Sequence, residues 1–154
     1  MHSLEVAVIA VVSRTDLARR TRKALEMARR QGAVLVESHG EEQVAILDAL
    51  DYRLLRALAL CHHAPQDGAG RPPQGLSQEA VRQAAALPGG GAQAAWDLVI
   101  GAYMAGEVSL GRAAELLGLS RFGLAERFNR LGVPLRQGPQ SVAEIESDLE
   151  ALRI

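Results

Sequence analysis

The stretch SLGRAAELLGLSRFGLAERFNRL, Ser109 to Leu131, reads as two short helices meeting at a sharp turn. Ser109 is placed to cap a helix running to Leu117, and Ser120 to cap a second one running to Leu131, because a serine hydroxyl satisfies an amide left open in a first helical turn. Gly118 lies where the chain must turn with positive φ, a conformation glycine adopts without a Cβ penalty. Ala113 and Ala114 are small enough to let the helices approach, and Leu117, Leu119, Leu124 and Phe128 supply a shared core. This is the pattern of a helix-turn-helix, whose second helix lies in a major groove. Ser120 opens that helix, and Arg121, Arg127 and Arg130 are positioned to reach bases or phosphates. An ordinary helical hairpin carries similar spacing, and Glu126 on the second helix repels phosphate.

Around this core the chain is helical from Ala92 onward. Trp96, Val99, Ile100 and Tyr103 share one face, and Gly106 ends that helix. After an extended Val133-Pro134-Leu135, the Ser141 and Glu144 pair forms a capping box for a last helix. Val142, Ile145, Leu149 and Leu152 line one side of it. Upstream, Pro65, Gly68, Gly70, Pro72, Pro73 and Gly75 break the pattern, Ser77 to Leu87 forms a short capped helix, and Gly89-Gly90-Gly91 makes a hinge. The N-terminal part reads as a strand over Leu4–Val12, a helix from Ser13 to Gly32, a hairpin of Ala33–Ser38 and Gln43–Leu47 turning at His39-Gly40, and a helix opened by Asp48. On the first helix Leu17, Thr21, Ala24, Leu25 and Ala28 make the apolar face. The fold class is therefore an α+β N-terminal unit, β-α-β-β-α and dimerising, followed by an all-α helix-turn-helix domain. Residues 1–63 form the first domain, 64–91 a linker and 92–154 the second.

The net charge of −1 over 154 residues is uninformative, but its distribution is not. Arg14, Arg19, Arg20, Arg22, Lys23, Arg29 and Arg30 face only Asp16 and Glu26, while Glu144, Glu146, Asp148 and Glu150 crowd the other end. Opposite charge at the two ends points to two different partners, although a solvated helix face also accounts for the basic run. Cys61 is the single cysteine, so no internal disulfide forms and a reducing cytoplasm is expected. No run of residues reaches the roughly 20 apolar positions a membrane helix needs. Cys61-His62-His63 lacks the four suitably spaced ligands of a zinc site. The triple glycine lacks the lysine and hydroxyl of a phosphate loop. No catalytic constellation, metal or cofactor is expected, and a binding protein is a better expectation than an enzyme.

Two resemblances sharpen this. The run AGEVSLGRAAELLGLSRF, followed by LGVP and an acidic DLEAL end, resembles a family of small prokaryotic helix-turn-helix proteins found beside PIN-domain nucleases; it extends from Ala92 to Leu152. The Ser13-to-Leu25 helix start, the hairpin VLVESHGEEQVAIL and the Asp51-Tyr52 pair resemble the Phd/YefM antitoxins. Members of the latter carry a basic residue and a proline after the turn glycine, where Glu41 and Glu42 stand here.

The resemblances imply an antitoxin of a type II toxin–antitoxin pair that dimerises through its N-terminal unit, binds operator DNA and silences a PIN-like ribonuclease. DNA contact would then involve Arg14, Arg19, Arg20, Arg22 and Lys23 with Ser120, Arg121, Arg127 and Arg130. Toxin contact would involve Arg136, Val142, Ile145, Leu149, Leu152 and Arg153, unless the last helix docks on its own chain. A transcription regulator without a toxin and a protein-interaction adaptor are the competing readings.

Overall fold

A computed structural model describes residues 10–63 and 76–136, together with 146, 149 and 150. The elements run β1 (Ala10–Ser13), α1 (Arg14–Arg19), α2 (Thr21–Gln31), β2 (Val34–Ser38), β3 (Glu41–Ile46), α3 (Ala49–His63), α4 (Gln78–Ala85), α5 (Gly91–Met104), α6 (Leu110–Leu116) and α7 (Arg121–Arg130). The class is α+β, a small sheet near the N-terminus followed by helices. The chain forms two compact units: residues 1–52 with 127–134, and residues 53–126 with 135–154.

In the first unit the sheet has the order β1-β2-β3. Strands β1 and β2 are parallel, with Val12 beside Val36, and β2 and β3 are antiparallel, with Val36 beside Val44 and a bulge at Val36/Glu37. His39 (φ 56°) and Gly40 (φ 79°) both take the left-handed conformation, as a two-residue hairpin turn demands. The ladder reaches Glu41, two residues nearer the turn than the expected Gln43. Ala24 and Ala28 of α2 are buried, as are Val34 and Val36 of β2. Of the expected Leu4–Val12 strand, residues 4–9 lie outside the described residues.

The single helix expected from Ser13 to Gly32 is broken at Arg20 (φ −132°, ψ 43°). Ser13 caps the first piece as expected, its hydroxyl accepting from the Asp16 amide at 3.1 Å. The Thr21 hydroxyl then donates to the Leu17 carbonyl at 2.8 Å, in competition with the helical ladder. This break resets the phase of the apolar stripe. Ala24 and Ala28 face inward, but Leu25 is 45% exposed and Thr21 is exposed.

The second unit is helical. Trp96, Val99, Ile100 and Tyr103 of α5 are all buried, as their spacing predicts. Helix α4 is capped by the Ser77 hydroxyl, which accepts from the Ala80 amide at 3.2 Å. Rather than standing alone in a linker, α4 packs against α5 and buries Val81. The approach is close enough that a Cβ at Gly91 would overlap the Ala85 carbonyl oxygen. Helix α6 also packs against α5, with Ala113 and Ala114 fully buried. No described helix is long and apolar enough to cross a membrane.

Candidate nucleic-acid interface

The turn between α6 and α7 is built as the serines and glycine dictate. Ser109 Oγ accepts from the Arg112 amide at 3.1 Å, and Ser120 Oγ accepts from the Gly123 amide at 2.9 Å. Gly118 has φ 71°, and the Leu119 amide beyond it returns to the Ala114 carbonyl at 2.8 Å. Leu124 and Phe128 are fully buried. The expected role of Leu117 passes to Leu116, which is buried, while Leu117 and Leu119 are half-buried. The reason is that α6 stops at Leu116, so Leu117 is already the cap residue and points off the helical face.

Helix α7 has two chemically different sides. Arg121, Phe122, Glu126 and Asn129 are exposed, and Phe122 is 76% exposed. Arg127 and Arg130, expected beside Arg121 on the nucleic-acid side, form ion pairs within the first unit. Arg127 Nη1 donates to Asp48 Oδ1 at 2.6 Å and to Asp51 Oδ1 at 2.7 Å. Arg130 donates to Asp51 through Nε at 3.0 Å and Nη2 at 2.9 Å. Asp51 is fully buried, and the Arg127 and Arg130 side chains keep only 18% and 11% exposure. A Cβ at Gly32 would come within 3.2 Å of both the Arg130 Cγ and its carbonyl oxygen, so the absence of a side chain there gives Arg130 room.

Asp48 also caps α3, its Oδ1 accepting from the amides of Leu50 (3.0 Å) and Asp51 (3.3 Å). Burial alone would raise its carboxyl pKa. The Asp51 amide, the Arg127 guanidinium and the Leu50 amide outweigh burial and hold the group below its ordinary value of 3.8. The cluster escapes sequence reasoning. The two aspartates and the two arginines each lie three residues apart at helix ends, but nothing local to either pair points to the other.

On α1 and α2 the basic residues lie at the surface. Arg14, Arg19, Arg20, Arg22, Lys23, Arg29 and Arg30 are all exposed. Arg22 stands 3.7 Å from Glu26, an ion pair with 94% and 55% side-chain exposure that leaves the arginine solvated. Arg20 and Lys23 also line a shallow depression with Val12, Asp16, Leu17, Ala24 and Met27. The sequence-derived phosphate ligands therefore separate into a solvated group, with Arg121, and a paired group, Arg127 and Arg130.

Arg136, expected to serve a partner, is half-buried and docked on its own unit. Its amide donates to Tyr103 Oη at 3.0 Å, its Nη2 donates to the Val108 carbonyl at 3.1 Å, and its guanidinium lies 4.7 Å from the Tyr103 ring centre. Val142, Ile145, Leu152 and Arg153 lie outside the described residues, while Leu149 is 57% exposed. Among the described residues no group of three or more His, Cys, Asp or Glu side chains is placed to hold a metal ion. Cys61 is half-buried, and burial, aided by the nearby Asp97 charge, pushes its thiol pKa up, away from a reactive thiolate.

Comparison with known proteins bears on the helical part. The model of an uncharacterised protein family, UPF0175, matches residues 75–154. A UPF0175 protein of Archaeoglobus fulgidus is 43% identical over 53 residues, which cover 33% of this chain and 57% of that protein. The chain thus spans little more than half the length of this curated relative. No solved structure matches. The family match takes in α4, α5, the α6–α7 turn and Arg136.

Proposed function

The chain belongs to the uncharacterised protein family UPF0175, and from that premise we propose that it is the antitoxin of a type II toxin–antitoxin pair, binding operator DNA and a toxin rather than catalysing a reaction. Membership is compatible with a toxin–antitoxin-like role. The observation that carries the DNA-binding half is helix α7: ten residues, capped by Ser120 behind a glycine turn, with one side buried through Leu124 and Phe128 and the other presenting Arg121 and Phe122 to solvent. That is the arrangement by which a second helix enters a major groove. The solvated cations of α1 and α2 supply the sequence-independent part, since neutralised phosphates dominate affinity. In this reading Arg14, Arg19, Arg20, Arg22 and Lys23 neutralise phosphates, Ser120 and Arg121 lie at the groove, and the chain works as a homodimer. Arg127 and Arg130 serve by holding α7 to Asp48 and Asp51.

Toxin binding is assigned to residues 141–153, where Val142, Ile145, Leu149 and Leu152 would fill an apolar groove on a PIN-like ribonuclease. The test is a gel shift on the chain's own promoter, followed by co-expression with a PIN-like ribonuclease gene taken from beside this one in the genome, if one is found there. A shift together with rescue of growth is expected. A shift without rescue identifies a transcription regulator with no toxin, and no shift removes the DNA-binding half.

A further inference from the structure

Phe122 is the largest solvated apolar group on the helix that this reading places at the DNA, with 76% of its surface exposed. Its exposure is not a packing remainder. The buried side of α7 is complete without it, because Leu124 and Phe128 are already fully buried. Its neighbours at helical spacing are Ala125 (i+3), Glu126 (i+4) and Asn129 (i+7), which lie along one stripe. Glu126 and Asn129 are exposed and Ala125 is half-buried. The stripe thus offers an aromatic ring, a methyl, a carboxylate and an amide, with Arg121 beside Phe122 in the chain.

That set is poorly suited to phosphate, since the carboxylate repels it and the two other arginines of α7 are engaged with Asp48 and Asp51. It is well suited to base edges. A carboxylate accepts from the cytosine amino group, a carboxamide pairs with adenine, and an apolar side chain meets the thymine methyl group. We infer that Phe122 is the specificity-determining residue of α7, selecting a thymine by packing its ring on the 5-methyl group in the major groove. This rests on the operator-binding reading above and assigns it a base.

The test uses the full chain and two duplexes of its own promoter, one natural and one with deoxyuridine replacing every thymine, which removes only the methyl groups. Binding is read by fluorescence anisotropy. The wild type is expected to bind the deoxyuridine duplex roughly fifteenfold more weakly, about fourfold for the one buried methyl group withdrawn at each of the homodimer's two α7 helices. Phe122→Ala is expected to bind both duplexes equally, at the weakened level, and Phe122→Leu to restore part of the difference. Because the ring is solvated, the variants should keep the wild-type thermal midpoint. Any change in duplex stiffness caused by deoxyuridine acts on Phe122→Ala as well, so it cannot mimic the result. If the wild type binds both duplexes alike, or Phe122→Ala discriminates as the wild type does, the assignment is overturned while operator binding stands. If the wild type binds neither duplex, the operator-binding reading falls and takes the assignment with it. Loss of toxin capture in Phe122→Ala with discrimination retained would reassign the ring to a protein partner.

Discussion

Asp51 illustrates how much one side chain carries. Its carboxylate is fully buried and accepts from two guanidinium groups. Removing one member of a buried pair leaves the others desolvated without compensation, at a loss of roughly 3–5 kcal/mol. Asp51→Ala is accordingly expected to lower unfolding free energy by about 3 kcal/mol in urea denaturation; a loss below about 1 kcal/mol would mean that both arginines relax into water. The Arg22–Glu26 pair is the opposite case, and Arg22→Ala should leave the urea midpoint unmoved because that pair is solvated. Asp48 adds a pH dependence. Its carboxyl is held below its ordinary 3.8, so its stabilisation is complete above that value and is lost as pH falls through the lower folded value. The gap in urea midpoint between the wild type and Asp48→Asn should therefore stay constant from about pH 7 to about pH 5 and close only as pH falls below the ordinary 3.8. A gap that widens on acidification would contradict the sign of the shift. The i,i+4 spacing of Arg22 and Glu26 is legible in the sequence, but the ion-pair roles of Asp48 and Asp51 are not. Asp48 reads as a cap, but its ion-pair partner Arg127 lies 79 positions away.

At the scale of elements the sequence is far more readable, because caps and turns are local. Ser13, Ser77, Ser109 and Ser120 each accept the amide three residues on, as their positions predict. The hairpin turn and the glycine stop of α6 are equally local. What fails is continuity: the break at Arg20 depends on whether the Thr21 hydroxyl or the helical ladder prevails at the Leu17 carbonyl, and propensity does not decide that. The helix over Ser77–Leu87 is legible, but its packing on α5 is not, since the glycines before α5 resemble a hinge. Gly91 tests the distinction. A side chain there meets the Ala85 backbone, whereas Gly90, whose φ is negative (−161°), has nothing within 4 Å of its added Cβ. Gly91→Ala should destabilise the chain by about 1–3 kcal/mol, as overpacking does, and Gly90→Ala should be tolerated. Equal thermal midpoints for the two variants would return this region to a flexible linker.

For the whole molecule, charge and chain order matter more than local pattern. The overall α+β class follows from the alternation of strand-like and helical segments. The make-up of the first unit does not, since it includes residues 127–134. A fragment ending at His63 retains Asp51 and lacks both of its cations. It is expected to melt without a cooperative transition in circular dichroism, and the intact chain to melt with one; a cooperative 1–63 fragment would show that the paired arginines are dispensable. Binding to DNA should respond to the solvated cations as a group. Replacing Arg19 and Arg22 together by alanine should weaken binding to all sequences alike. It should also reduce the slope of log affinity against log salt by about 3.6 for the homodimer, at roughly 0.9 for each of the phosphates that two arginines per chain no longer neutralise. An unchanged slope would remove α1 and α2 from the interface.

The aspartate–arginine cluster also sets a timetable. Domains made of contiguous sequence fold as they leave the ribosome, N-terminal part first. Here Asp51 must wait until residues 127 and 130 have been made, a delay of 76 and 79 residues between the partners. At about 5–20 residues per second that is a wait of several seconds. Throughout it the nascent first unit lacks the guanidinium groups that neutralise the buried acid of α3. The newborn chain is therefore open to proteolysis for longer than its small size suggests, and its abundance in the cell should follow protease activity during synthesis as well as the stability of the finished fold.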